Sequence, residues 1–130
     1  MAKIIIVEDD LQLAETYKKR LEEDGYQVIV SEDINAVDQI RNQKPDLTLL
    51  DILMPKVSGL TILRELKTDP DLEGIPVLIL SNIEGAGELS QAISLGASGY
   101  LVKADTNIDT LSAKVKEVLA SGALASGIKS

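Results

Sequence analysis

Five polar side chains stand where apolar runs stop. Glu8 and Asp9 follow Ile4-Ile5-Ile6-Val7, Asp51 follows Leu47-Thr48-Leu49-Leu50, Ser81 follows Val77-Leu78-Ile79-Leu80, and Lys103 follows Tyr100-Leu101-Val102. A carboxylate at the end of a buried strand is costly unless it has a partner or a task. Three carboxylates brought together without countercharge repel and raise one another's pKa values. A divalent cation resolves that conflict. Oxygen-only ligands select a hard ion, and Mg2+ takes one or two carboxylates, keeps waters and reaches phosphate oxygens. Beside such an ion, Lys103 would balance the remaining charge and contact a phosphoryl oxygen, and Ser81 would donate to another. Asp51 is then the natural nucleophile, because a carboxylate can attack phosphorus to give an aspartyl phosphate. The protein's share of that chemistry is positioning and charge stabilisation.

Taken singly, each residue also has an ordinary structural reading. Glu8-Asp9-Asp10 at a strand-to-helix junction could be capping and dipole chemistry. Asp51 could be a turn residue, Ser81 a helix or turn cap, Lys103 a solvated surface lysine and Tyr100 a core aromatic. What favours chemistry is that four of five strand ends carry the residue type such a site needs.

For these residues to meet, the chain must place its strand ends together. Apolar runs of four or five residues alternate with helical patterns five times. Continuous apolar runs suit strands buried on both faces, and the alternation implies right-handed crossovers and a parallel sheet with helices on both sides. The first helix reads from Leu11 to Asp24, with Leu11, Ala14, Tyr17 or Lys18, and Leu21 on one stripe and Gly25 as its stop. Tyr26 to Val30 is a second strand. Asp33 is a candidate cap for a short helix carrying Ala36, Val37 and Ile40, which Pro45 ends near Gln43 or Lys44. Leu60, Leu63 and Leu66 mark the third helix, closed by Thr68-Asp69-Pro70-Asp71. Leu89, Ala92 and Ile93 mark the inward side of the fourth, with Gly96 as its stop, and Gly85 and Gly87 weaken its first turn. Ile108, Leu111, Val115, Val118 and Leu119 mark the fifth, with Gly122 as its end. In open sheets of this kind ligands bind outside the carboxyl ends of the strands, where strand order reverses. Were the order 2-1-3-4-5, strands one and three would be neighbours and Asp9 and Asp51 would meet there.

Composition narrows the chemistry. The 130 residues suit one domain, expected over 1–122 with a short tail at 123–130. Phe, Trp, Cys and His are absent, so the core is aliphatic. Disulfides, thiolate nucleophiles, histidine acid–base catalysis and most zinc or copper sites are excluded. A net charge of -8 disfavours nucleic acid as a direct partner. Nothing resembles a signal peptide or a membrane span, so a cytoplasmic location is expected.

Ile-Val-Glu-Asp-Asp at 6–10, Leu-Leu-Asp-Ile-Leu-Met-Pro at 49–55 with Gly59, Leu-Ser-Asn at 80–82 and Gly-Tyr-Leu-Val-Lys at 99–103 occur in that order. Together they strongly resemble the receiver domain of two-component response regulators over roughly residues 3 to 120. The resemblance implies a flavodoxin-like (βα)5 fold with strand order 2-1-3-4-5. It implies that Asp51 accepts a phosphoryl group from a histidine kinase or histidine phosphotransfer protein. Asp9, Asp51 and the Leu53 carbonyl would then ligate Mg2+, with Glu8 as the outer acid, acting directly or through water. Lys103 would contact phosphate, and Ser81 and Tyr100 would be the switch pair. The helix-4, strand-5, helix-5 face, about 83 to 119, would meet a downstream protein. Such a receiver is a signalling switch rather than an enzyme. It is a monomer or a phosphorylation-dependent dimer, alone or within a longer hybrid or multi-domain protein.

There are departures. The family usually has a proline joined by a cis peptide after the lysine. Here Ala104 follows Lys103, and a cis bond before a non-proline costs about 2.5–4 kcal/mol, so a trans peptide is expected. Asn82 replaces a usual small residue. Leu53 and Ile83 occupy the two positions that influence phosphoryl lifetime, and both are apolar, which implies slow self-dephosphorylation. The alternatives are a degenerate receiver acting as a phosphorylation-independent interaction module and a haloacid-dehalogenase-type, Mg-dependent aspartyl-phosphate phosphatase. The second wants an acid two residues after the nucleophile, where Leu53 stands. A nucleotide-binding domain would want a glycine-rich loop where Glu8-Asp9-Asp10 stands.

Overall fold

The computed structural model describes residues 2–31, 35–52, 54, 58–81, 86–103 and 106–129. Their backbone alternates strand and helix throughout: β1 (Lys3–Val7), α1 (Leu11–Glu23), β2 (Gln27–Ser31), α2 (Ala36–Gln43), β3 (Leu47–Asp51), α3 (Gly59–Thr68), β4 (Val77–Ser81), α4 (Ala86–Ser94), β5 (Gly99–Val102) and α5 (Ile108–Lys129). The strands form one sheet in the order β2-β1-β3-β4-β5, and every pairing is parallel. This is the doubly wound, flavodoxin-like order expected above.

Alternate residues of each strand feed the two faces. Ile5, Val7, Leu50, Val77 and Ile79 pack with Ala36 and Ile40 of α2, with α3 and with Ala92 of α4. Ile4, Ile6, Leu47, Leu49, Leu78 and Leu80 pack with Ala14, Tyr17 and Leu21 of α1 and with Leu111, Val115 and Val118 of α5. Both faces of the central strands are thus covered, which is why β1 and β4 read as unbroken apolar runs and β3 as one interrupted only by Thr48. The α5 stripe is core: Leu111 and Val115 are fully buried and Val118 nearly so.

The helix ends follow local chemistry, with corrections. Asp10 caps α1, its Oδ1 accepting from the Leu13 N–H at 3.1 Å. Gly25, at φ +100°, turns the chain out of that helix into β2. Leu11 shares the inward spacing but is 59% exposed, because it stands in the first turn, past the strand residues it would cover. Ile93 is likewise exposed at 52%; Ala92 takes the inward line of α4, and one helical step of about 100° turns Ile93 off it. At the start of α2 the cap position is Asn35, which makes no side-chain cap bond, and Asp33 lies outside the described residues. α2 ends at Gln43 as expected, but Lys44 leaves it in the left-handed region at φ 48° rather than extended. α5 does not stop at Gly122: its backbone is helical to Lys129. Each interior glycine, Gly122 and Gly127, costs only about 1 kcal/mol, and Leu119, Ala120, Ala123 and Leu124 nearby are strong helix formers.

Candidate functional site

The register of the sheet assembles the site. Val7 lies opposite Leu50, Asp51 opposite Leu80 and Ser81 opposite Val102. Glu8 and Asp9 therefore emerge beside Asp51, while Ser81 and Lys103 emerge on the other side of β3. Glu8 and Asp51 are almost wholly buried, Ser81 is buried and Asp9 is exposed. One carboxylate oxygen from each of Glu8, Asp9 and Asp51 falls within 4.8 Å of the others.

Lys103 enters this cluster from the end of β5. Its ammonium hydrogen-bonds Asp51 Oδ2 at 3.0 Å and lies 2.7 Å from Glu8 Oε1. The contact with Glu8 is an ion pair, and the buried Oε1 has no further hydrogen-bond donor among the described residues. The other oxygen, Glu8 Oε2, accepts from the Asp10 N–H at 3.2 Å. Burial, opposed by Lys103 and reinforced by the Asp51 charge, pushes the Glu8 carboxyl up to about 7. Burial alone would draw the Lys103 ammonium down, but its interactions with Glu8 and Asp51 outweigh it and raise that group.

The donor set fits a hard divalent cation. Three carboxylates against one ammonium leave a formal charge of two negative units when all are ionised. All donors are oxygens, and among the described residues the buried Glu8 Oε1 is met only by the Lys103 ammonium. These are terms on which Mg2+ with retained waters binds.

Helical spacing marks Tyr17 only as part of the inward face of α1. Its phenol is raised chiefly by burial, and the charges of Lys103, Glu8, Asp51 and Asp10 also act on it. Its ring lies within electrostatic reach of the cluster from α1. Its position two turns after the Asp10 cap is the only signal of this in the sequence. Tyr100 stands apart from the cluster, 44% exposed on β5. Leu53 with its carbonyl, Asn82, Ile83 and the Lys103–Ala104 peptide lie outside the described residues. After β5 the chain is tied back by the Thr106 hydroxyl, which donates to the Val102 carbonyl at 2.6 Å.

Among the described residues no helix is long and apolar enough to cross a membrane. The response regulator receiver domain family matches residues 4–116. Response regulator MprA of Mycobacterium sp. strain KMS is 33% identical over 102 residues, which are 78% of this chain and 44% of that protein. MprA of Mycobacterium avium strain 104 is 32% identical over the same length. The chain thus spans less than half the length of these curated relatives. The signal receiver domain of a signal transduction histidine kinase from Syntrophus aciditrophicus superposes with a TM-score of 0.84 at 34% identity, covering 93% of this chain and 92% of that one. The receiver domain of Francisella response regulator 1452 does so with a TM-score of 0.82 at 26% identity, covering 93% and 98%. With the strand order and the acidic cluster already described, the match over 4–116 means that this chain belongs to the response regulator receiver domain family.

Proposed function

We propose that this chain is a phosphorylation-driven switch in which Asp51 accepts a phosphoryl group from a histidine kinase or histidine phosphotransfer protein. The supporting observation is the approach of the Glu8, Asp9 and Asp51 carboxylates to within 4.8 Å of one another, with the Lys103 ammonium 3.0 Å from Asp51 Oδ2. An Asp51 carboxylate oxygen attacks phosphorus in the donor phosphohistidine. A P–O bond forms and the P–N bond breaks. The electron pair leaves with the imidazole nitrogen, which takes a proton from solvent. Receiver domains are signalling switches rather than enzymes acting on a separate substrate, and the acyl phosphate itself is the output.

Glu8, Asp9 and Asp51 would hold Mg2+, with the Leu53 carbonyl as a further ligand and Glu8 bound directly or through water. When bound, the ion neutralises charge on the phosphoryl oxygens. Lys103 leaves Asp51 Oδ2 to meet one phosphoryl oxygen. The Ser81 hydroxyl, buried at the end of β4, donates to another. Tyr100, now outward, turns in with Ser81, and this alters the α4–β5–α5 face that meets a downstream protein. Phosphorylation need only shift an existing equilibrium between two states of that face. The setting proposed is cytoplasmic, with the chain monomeric or dimerising on phosphorylation.

Labelling by acetyl phosphate tests this. Mg2+-dependent incorporation into wild type, lost in Asp51→Ala, is expected. A folded wild type that takes no label would sink the reading and favour a phosphorylation-independent interaction module.

A further inference from the structure

α3 begins hard against the strand end that carries Asp51. The Gly59 N–H donates to the Ile52 carbonyl at 2.8 Å, and the Ile52 N–H donates to the Leu80 carbonyl at 3.1 Å. A Cβ on Gly59 would stand 2.2 Å from the Asp51 carbonyl oxygen, 2.6 Å from Ile52 Cα and 3.0 Å from the Asp51 carbonyl carbon. All three are backbone atoms, so no side-chain rotation relieves the clash. Gly59 is not at positive φ, so its glycine is required by space and not by backbone conformation.

The strand cannot yield freely. β3 is paired on both sides, to β1 and β4, and all five of its residues are buried. Moving a methyl from 2.2 Å to an ordinary contact near 3.4 Å takes about 1.2 Å. That displacement falls on the first turn of α3 and on Asp51–Ile52, the end of β3 that bears the phosphoacceptor.

We propose that Gly59 is a positioning residue: its missing side chain lets α3 seat on the Asp51–Ile52 peptide and so fixes where the Asp51 carboxylate meets Lys103 and the other two acids. This deepens the phosphoacceptor reading and rests on it for its chemical consequence. A misplacement of about 1 Å at a reacting group costs on the order of a hundredfold in rate.

The test compares Gly59→Ala with Leu66→Val, a core change on the same helix remote from the acids. The first readout is the NMR resonances of the Asp51 carboxyl and of the Ser81 and Lys103 amides, without added metal. The second is the acetyl phosphate labelling rate across acetyl phosphate concentrations with Mg2+. Gly59→Ala should fold, shift those resonances and lose roughly tenfold to a hundredfold in saturated labelling rate, with little change in the half-saturating concentration. Leu66→Val should lower the melting temperature and leave both readouts near wild type. A Gly59→Ala protein that matches Leu66→Val in both readouts overturns the proposal. One that does not fold overturns it too, because the glycine then serves the fold alone. Displaced resonances in a protein whose wild type takes no label would refute the phosphoacceptor reading and leave the positioning role standing.

Discussion

Replacing Glu8 with glutamine should stabilise the metal-free protein at pH 8 and have little effect at pH 5. The Glu8 carboxyl is raised from 4.5 to about 7, chiefly by burial. A carboxyl raised on folding binds its proton more tightly in the native state than in the unfolded one. Its contribution is therefore fully present below pH 4.5 and is lost as pH rises through about 7. Over the whole window the loss is roughly 3 kcal/mol, since each pH unit separating the native and unfolded values is worth about 1.36 kcal/mol. Between pH 5 and pH 8 it is about 2.5 kcal/mol, because part is already lost at the lower value.

Glutamine keeps the shape of the neutral acid and does not titrate. It leaves Lys103 its hydrogen bond to Asp51 at 3.0 Å, so the ammonium is not stranded. Urea unfolding of wild type and Glu8→Gln in chelator, at several pH values, reads chiefly this group, because groups that do not face Glu8 cancel in the difference. With a slope of about 1–3 kcal/mol per molar urea, the separation between midpoints should grow by roughly 1–2 M from pH 5 to pH 8. Excess Mg2+ should shrink it, because a cation bound by wild type stabilises the ionised cluster. A separation that stays constant across pH would refute the claim that burial of Glu8 governs its proton.

Other outcomes follow from individual contacts. Thr48 is fully buried and its hydroxyl has no hydrogen-bond partner among the described residues; Thr48→Val should gain about 1 kcal/mol in urea unfolding, and a loss would mean the hydroxyl is satisfied in solution. The buried Ser112 hydroxyl donates to Asp24 Oδ2 at 2.5 Å, joining α5 to the end of α1. Ser112→Ala should cost about 1.5–3 kcal/mol at neutral pH. That hydrogen bond is the first cause holding the Asp24 carboxyl below its usual 3.8. The cost should therefore be present above pH 3.8 and fade as pH falls through the lowered value; equal costs at pH 3 and pH 7 would contradict it. Polar residues at both 53 and 83 should speed loss of the phosphoryl group by giving an attacking water a partner, and an unchanged decay rate would show that these positions do not set its lifetime.

The strand ends were legible because each apolar run stops at a polar residue, and parallel pairing gathers such stops along one edge of the sheet. Strand order was not legible from pattern alone: Ile4-Ile5-Ile6-Val7 and Val77-Leu78-Ile79-Leu80 read alike, though one run pairs with β2 and β3 and the other with β3 and β5. Only the family motifs indicated it. Helical spacing failed at the margins. It counted Leu11 and Ile93 inward because periodicity does not say where the sheet beneath a helix ends. It stopped α5 at Gly122 because a glycine reads as a stop even where strong helix formers surround it. The approach of Gly59 to the Asp51 carbonyl was invisible, since spacing reveals a turn but not a separation of 2.2 Å from a hypothetical methyl.

The acids that make the site useful also make it a weak point of the fold. Glu8 and Asp51 are kept from water, and only one ammonium reaches both of them among the described residues. A cation or a phosphoryl group bound here, as proposed, would act on free energy already stored in the native state, on the order of a few kcal/mol at Glu8 alone. That is the scale of a typical coupling between two sites, about 1–3 kcal/mol. Lys103 sits at the end of β5, whose preceding residues include the outward Tyr100. If the chain switches as proposed, a change in what Lys103 holds would be felt first along β5, the strand that carries Tyr100.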